Sequence, residues 1–224
     1  MRSHGATGFT RLILGSEAQQ IVRHSLVPVL VMRDGSSPSF IHPSSLLHPP
    51  RTLVALDGSP LAEAALLPAA QLCAALAAPA NGAIHLTRAV QTIFAIGNES
   101  NERVEIMNRE VREEAEGYLK GIEQRFQSGD LASFHLTVTS SVVTHFDTGD
   151  TWKRIVEESE CIENVDGYLA CDIIAMATHG RHGFQHLLEG SITESVLDAT
   201  THPLLVVHIQ KPEGKEEKAY GYRS

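Results

Sequence analysis

Apolar positions along this chain follow two periods. Arg51–Leu56 (RTLVAL), Ala83–Val90 and Leu204–His208 are short, mostly apolar runs bounded by turn residues, and Asp172–Ala177 (DIIAMA) is apolar almost without a break. An unbroken run of this kind suits a strand buried on both faces of a parallel sheet. Phe134–Val143 alternates with period two and predicts one more strand. Helical signals lie between the strands. Pro60 follows Ser59, a plausible N-cap, and predicts a helix to about Ala77 with a kink at Pro68. Residues 101–127 place Val104, Met107, Val111, Ala115, Tyr118, Ile122 and Phe126 three or four apart, one apolar stripe on a long helix. Asp150 can cap a helix over about 151–160, and 191–199 predicts a last one. Strands alternating with helices predict an α/β fold, a doubly wound, five-stranded, mostly parallel sheet.

Part of this pattern occurs twice. Residues 4–33 lie over 179–208 at a constant offset of 175, with ten of thirty positions identical, among them Gly5/Gly180, Gly8/Gly183, Gly15/Gly190, Ser16/Ser191 and Pro28/Pro203. The shared piece is a glycine-punctuated loop, a helix and an apolar strand. The expected organisation is therefore a remnant of a first copy in 1–33, a Ser/Pro-rich linker in 34–50, a complete domain in 51–209 and a charged, disordered tail in 210–224. A shortened gene or an internal start at Met1 would each account for the remnant.

Composition narrows the function class. A formal charge of −9 with no Lys/Arg cluster argues against a nucleic-acid partner. The apolar run Leu26–Met32 is too short to span a bilayer, and no signal peptide is read, so a cytoplasmic location is expected. Cys73, Cys161 and Cys171 form no CxxC and suit thiols used as small apolar residues in a reducing compartment.

Candidate chemistry gathers at strand ends. Met176–Ser191 (MATHGRHGFQHLLEGS) follows a buried strand and leads into a helix. In such sheets ligands bind outside the carboxyl ends of the strands, where strand order reverses. Glycines there let backbone N–H groups approach an anion, and a helix start adds free donors. The same glycines suit a plain strand-to-helix turn equally well. Asp57, at the end of the first strand of the complete domain, could orient a ribose or a cation, or simply cap its own turn at Ser59 or Pro60.

The combination of Asp57-Gly58-Ser59 after a strand, MATHGRHGF…LLEGSITESVL and then HPLLVV resembles the universal stress protein family over residues 51–209, with 2–33 matching the end of a tandem copy. The resemblance implies a Rossmann-like fold related to the adenine nucleotide alpha hydrolases, dimerisation through the last strand, no established reaction beyond slow ATP hydrolysis at most, and, in one branch, ATP binding, with Mg²⁺ as an accompanying ion. It implies adenine near Arg88 and Ala89, and ribose and phosphates near Asp57, Gly58, Ser59, Thr178, His179, Gly180, Arg181, Gly183, Gly190, Ser191 and Ile192. The pattern departs in two respects: a longer segment around Glu160–Leu169 reads as an insertion between helix and fourth strand, and the glycine spacing is shorter. The ATP-binding branch has nine residues before its Gly-Ser/Thr pair, whereas six separate Gly183 from Gly190 here, and six separate Gly8 from Gly15. By the family's logic, strand 28–32 would pair antiparallel with strand 204–208, giving a pseudo-dimer within one chain or a homodimer between chains.

Other arrangements are weaker. His179, His182 and His186 lack a carboxylate or cysteine at matching spacing for a metal. A serine hydrolase lacks its G-x-S-x-G elbow, because Leu188-Glu189-Gly190-Ser191-Ile192 has no second glycine. Walker A is absent, and Trp152 reads as a packing residue. The expected function is thus a nucleotide-responsive stress protein. The alternative is a protein of the same fold that holds no nucleotide and acts through dimer contacts.

Overall fold

The computed structural model describes residues 21–22, 25–32, 49–94, 101–160, 162–164, 167–179 and 192–209. Its strands are β1 Val29–Val31, β2 Arg51–Leu56, β3 Ala83–Gln91, β4 Thr137–His145, β5 Ile162–Asn164, β6 Gly167–Leu169, β7 Ile173–His179 and β8 Leu204–Ile209. Its α-helices are α1 Leu66–Ala77, α2 Asn101–Ser128, α3 Thr151–Glu160 and α4 Ile192–Ala199. Six strands form one sheet in the order β1-β8-β7-β2-β3-β4. The five from β2 onward run parallel, as the alternation of strands and helices implied. β1 adds antiparallel to the β8 edge, Val29 opposite Val206, Leu30 opposite Leu205 and Val31 opposite Leu204. This is the pairing anticipated for strand 28–32.

Both faces of the sheet are apolar because the strands alternate sides every residue. Val54 and Leu56 of β2 join Leu205 and Val207 of β8 in one core, closed by α1 and by Leu119, Ile122 and Phe126 of α2. Leu53 and Ala55 join Leu204 and Val206 in the other, closed by Ile155 and Val156 of α3 and Val196 of α4. Trp152 packs against that second core, the role its sequence position suggested. β1 contributes to both, Leu30 to the first and Val31 to the second. Cys73 and Cys171 are buried. Burial pushes both thiols above the ordinary range, so they act as small apolar residues.

The structure revises several element boundaries. β4 begins at Thr137, not Phe134, because a 3₁₀ turn over Ala132–Phe134 ends at His135 with φ +52, a left-handed residue that breaks the alternation. The helix after Ser59 is split. A 3₁₀ turn over Ala62–Ala65 precedes α1, and Pro68 sits in the first turn of α1, where a missing N–H is tolerated. Asp147, not Asp150, caps the approach to α3, its carboxylate accepting from the Gly149 N–H at 2.9 Å. Asp150 instead pairs with Lys153. The segment expected as an insertion holds a small antiparallel pair, β5 with β6.

Candidate functional site

Strand order places the ends of β2 and β7 side by side. The chain leaves β2 toward α1 on one face and leaves β7 toward α4 on the other. Connections that diverge to opposite faces open a crevice at the sheet edge, the place where α/β folds bind ligands. A cleft of ≈ 260 Å³ lies there. Its walls are Ala55, Leu56 and Asp57 from β2 and its turn, Leu61 and Ala62, Ala89 from β3, Thr151 and Ile155 from α3, Met176, Ala177 and Thr178 from β7, and Ile192 and Thr193 at the start of α4. Asp57 is the one charged residue among these described lining residues.

The turn after β2 is built by short-range chemistry. The Ser59 N–H donates to Asp57 Oδ1 at 2.8 Å, and the Ala62 N–H donates to Ser59 Oγ at 3.1 Å. Asp57 is therefore a turn-forming residue, the simpler of its two readings, and it also faces the cleft. The 3₁₀ turn itself begins after Leu61 with no side-chain cap, and Ser59 acts one step earlier, its hydroxyl closing the bend that leads into the turn. Gly58 sits at φ +88, a conformation that disfavours any residue with a Cβ. A Cβ there would also lie 2.9 Å from the Arg88 Cζ. Gly58→Ala should therefore destabilise the protein by about 1–2 kcal/mol, read as a lower melting temperature, because the methyl must push the guanidinium off its seat.

That seat explains why the two residues given to adenine separate. Arg88 and Ala89 are neighbours on a strand and point to opposite faces. Arg88 turns toward α2, with Nη1 3.0 Å from Glu114 and its guanidinium carbon 5.2 Å from the centre of the Tyr118 ring. Ala89 faces the cleft. Below them, Tyr118 donates to Glu63 at 3.3 Å, and burial together with that carboxylate raises the Tyr118 pKa, keeping the phenol protonated.

Of the residues expected at the site, Asp57, Ala89, Thr178 and Ile192 line the cleft, with Gly58 and Ser59 in the turn beneath. His179 ends β7. Gly180, Arg181, Gly183, Gly190 and Ser191 lie outside the described residues, as do His182 and His186. Among the described residues no His/Cys/Asp/Glu group could hold a metal, and no helix is long and apolar enough to cross a membrane.

Sequence reasoning missed the α3 wall and Thr193. The Thr151 hydroxyl lies 3.2 Å from His145 Nε2, while His145 Nδ1 lies 2.8 Å from the Asp147 carbonyl. The carbonyl can only accept, so Nδ1 donates to it. Thr151 opens a helix recognisable from its periodicity. Its approach to β2 and β7 depends on the crossover from β4, which no local signal encodes.

A family model described as the universal stress protein family matches residues 1–33 and 50–208. No curated protein matches the chain. Among solved structures, a universal stress protein from Archaeoglobus fulgidus aligns at 20% identity and TM-score 0.53, covering 93% of this chain and 60% of that one. The universal stress protein UspA of Lactobacillus plantarum aligns at 16% identity and TM-score 0.51, covering 71% and 98%. A universal stress protein in complex with cAMP aligns at 18% identity and TM-score 0.41, covering 71% and 96%.

Proposed function

Since this chain belongs to the universal stress protein family, we propose that it binds an adenine nucleotide, ATP with Mg²⁺, in the cleft at the ends of β2 and β7, and acts as a nucleotide-responsive module in stress signalling. The observation that carries this reading is convergence. Asp57, Ala89, Thr178 and the start of α4 come from four separate elements and meet in one crevice at the point where strand order reverses. The aliphatic walls around Ala89 and Ile155 suit a flat base. The Asp57 carboxylate, with one oxygen committed to Ser59, has the second available to accept from ribose hydroxyls or to face a cation. We assign the phosphates, from sequence alone, to the amides of Gly180, Gly183 and Gly190 with Ser191 and Arg181 as added donors, alongside Thr178 and His179. ATP would bring the charge that Mg²⁺ neutralises, and no residue is assigned to catalysis. We read residues 1–33 as the end of a first copy, the β1–β8 pairing as a pseudo-dimer contact within the chain, and the protein as cytoplasmic.

Titration calorimetry with Mg-ATP tests the reading. The expected result is a saturable heat that Gly180→Val and Gly183→Val each abolish, because a branched side chain would occupy the phosphate position. The second reading, a protein of this fold that holds no nucleotide, is favoured by the short spacing between Gly183 and Gly190 and the largely aliphatic lining of the cleft. No heat at millimolar ATP would leave that reading standing in place of the first.

A further inference from the structure

We propose that a groove at the ends of β3 and β4, on the face of the sheet that α2 covers, is a second binding site whose ligand is a planar aromatic carboxylate. Among the described residues it shares no lining residue with the cleft at the ends of β2 and β7.

The chain builds this groove by using one short pattern twice. Both strands run out in Thr-x-Phe, as Thr92-Ile93-Phe94 just after β3 and Thr144-His145-Phe146 at the end of β4. Alternation puts residues two apart on one face, and all four of these Thr and Phe residues line a space of ≈ 390 Å³. The opposite wall is the first part of α2, from Asn101 to Arg112. α2 connects two parallel strands, so it runs back against them. The phenyl rings therefore lie at the outer end with Asn101 and Glu105, and the threonines lie deeper, toward Arg112.

The aromatic pair is held in place. Phe94 and Phe146 stack with centroids 4.1 Å apart and planes 18° apart. Beneath them the Thr92 N–H donates to the His145 carbonyl at 2.8 Å, and Gln91 Nε2 donates to the Phe146 carbonyl at 3.1 Å. Asn108 ties the same segment to α2, its Oδ1 accepting from the Ile93 N–H at 3.0 Å and its Nδ2 donating to the Ile93 carbonyl at 2.9 Å. Yet Phe94 is 62% exposed and Phe146 56%. Two rings fixed by their surroundings and left open to water carry a cost that an apolar ligand removes. The outer face of a stacked pair accepts a third ring in the same geometry.

Charge selects what that ring carries. Arg112 is the one cation among the described lining residues. Unlike Arg88, Arg125 and Arg154, it forms no ion pair among the described residues. A guanidinium binds a carboxylate through two parallel N–H···O bonds. Glu105 stands two turns nearer the mouth, about 10 Å along the helix, and repels an anion there. The acid of the ligand thus points inward to Arg112, and its ring rests on Phe94 and Phe146.

Equilibrium dialysis of the full chain against 2-naphthoate tests this. Saturable binding with a Kd on the order of 100 µM is expected. The neutral 2-naphthalenemethanol should bind at least about tenfold more weakly. Arg112→Gln, at an exposed helix position, should erase that difference. Phe94→Ala should weaken naphthoate by at least about tenfold. Circular dichroism should find both variants folded, since neither side chain is buried. Saturating Mg-ATP should leave naphthoate binding unchanged. Absence of saturable binding at millimolar naphthoate would overturn the assignment, as would a folded Phe94→Ala variant that binds as well as the parent. Equal affinity for naphthoate and its alcohol in the parent protein would remove Arg112 as the selecting charge. Octanoate binding as tightly as naphthoate would replace the planar ring by any apolar tail. Displacement of naphthoate by ATP would move the acid into the nucleotide cleft.

Discussion

Ala89→Phe should abolish the rise in melting temperature that ATP produces, while leaving the ligand-free protein folded at nearly its original temperature. Ala89 contributes only a methyl to the cleft wall, and the space it faces is ≈ 260 Å³. A phenyl group on the same Cα would take the room proposed for the base. It would enter a solvent-facing crevice and not a packed core, so overpacking strain is small. At ATP a hundredfold above its Kd, binding contributes about 2.7 kcal/mol, which raises the melting temperature of a domain this size by roughly 5–10 °C. The variant should show less than about 1 °C, a loss of affinity of at least about 100-fold by the same linkage relation. Scanning calorimetry of both proteins with and without Mg-ATP checks this. A full ATP-dependent rise in the Phe variant would move the nucleotide out of this cleft.

His85→Leu should destabilise the protein by about 2–3 kcal/mol and change how its stability depends on pH. His85 lies on β3 between the sheet and α3, 2% exposed. Its Nε2–H is shared between Glu158 Oε1 at 3.1 Å and Ser141 Oγ at 2.9 Å, and its Nδ1 meets the Thr139 hydroxyl at 2.8 Å. Ser141 also donates to Glu158 Oε1 at 2.6 Å. Burial pushes the Glu158 pKa up, but hydrogen bonds from His85 and Ser141, with the pull of Arg154, bring it below the ordinary carboxylate value. A carboxyl held low in the folded state adds stability above its unfolded pKa of about 4.3 and loses it as pH falls through the folded value. Removing the imidazole leaves burial to raise that pKa instead. The deficit against the parent protein should then be largest near neutral pH and shrink in acid as Glu158 takes up a proton. Removing one partner of a buried pair costs several kcal/mol, less here because the Glu158 side chain is 17% exposed. The double variant His85→Leu/Glu158→Leu should recover to within about 1 kcal/mol of the parent, since no stranded charge remains. Urea unfolding between pH 4 and 8 measures both effects. An equal loss at every pH would show that His85 matters only through packing.

Much of the architecture was legible because it is encoded locally. The apolar run at 172–177 reads as a strand buried on two faces, and the spacing from Val104 to Phe126 reads as one long helix, although Met107 and Val111 of that stripe are exposed. Asp57-Gly58-Ser59 announced a turn, since Gly58 supplies the positive φ that the chain needs there. The repeat even foretold the partner of strand 28–32. Two features escaped a local reading, each for its own reason. The start of β4 was misplaced because alternation continues through Phe134 while His135 takes a left-handed turn. Arg88 was grouped with Ala89 because adjacency in sequence hides the fact that strand neighbours face apart.

What this sequence determined by itself is therefore what short-range forces decide: period, turn, cap and the copied segment. Tertiary structure alone decided which distant groups meet. His85 and Glu158, on β3 and α3, become partners only when the crossover from β4 lays α3 on the sheet. Thr151 reaches the ends of β2 and β7 by the same crossover. Neither contact carries a local signal, because each arises from the path of the backbone between elements and not from any residue's preference for its own conformation.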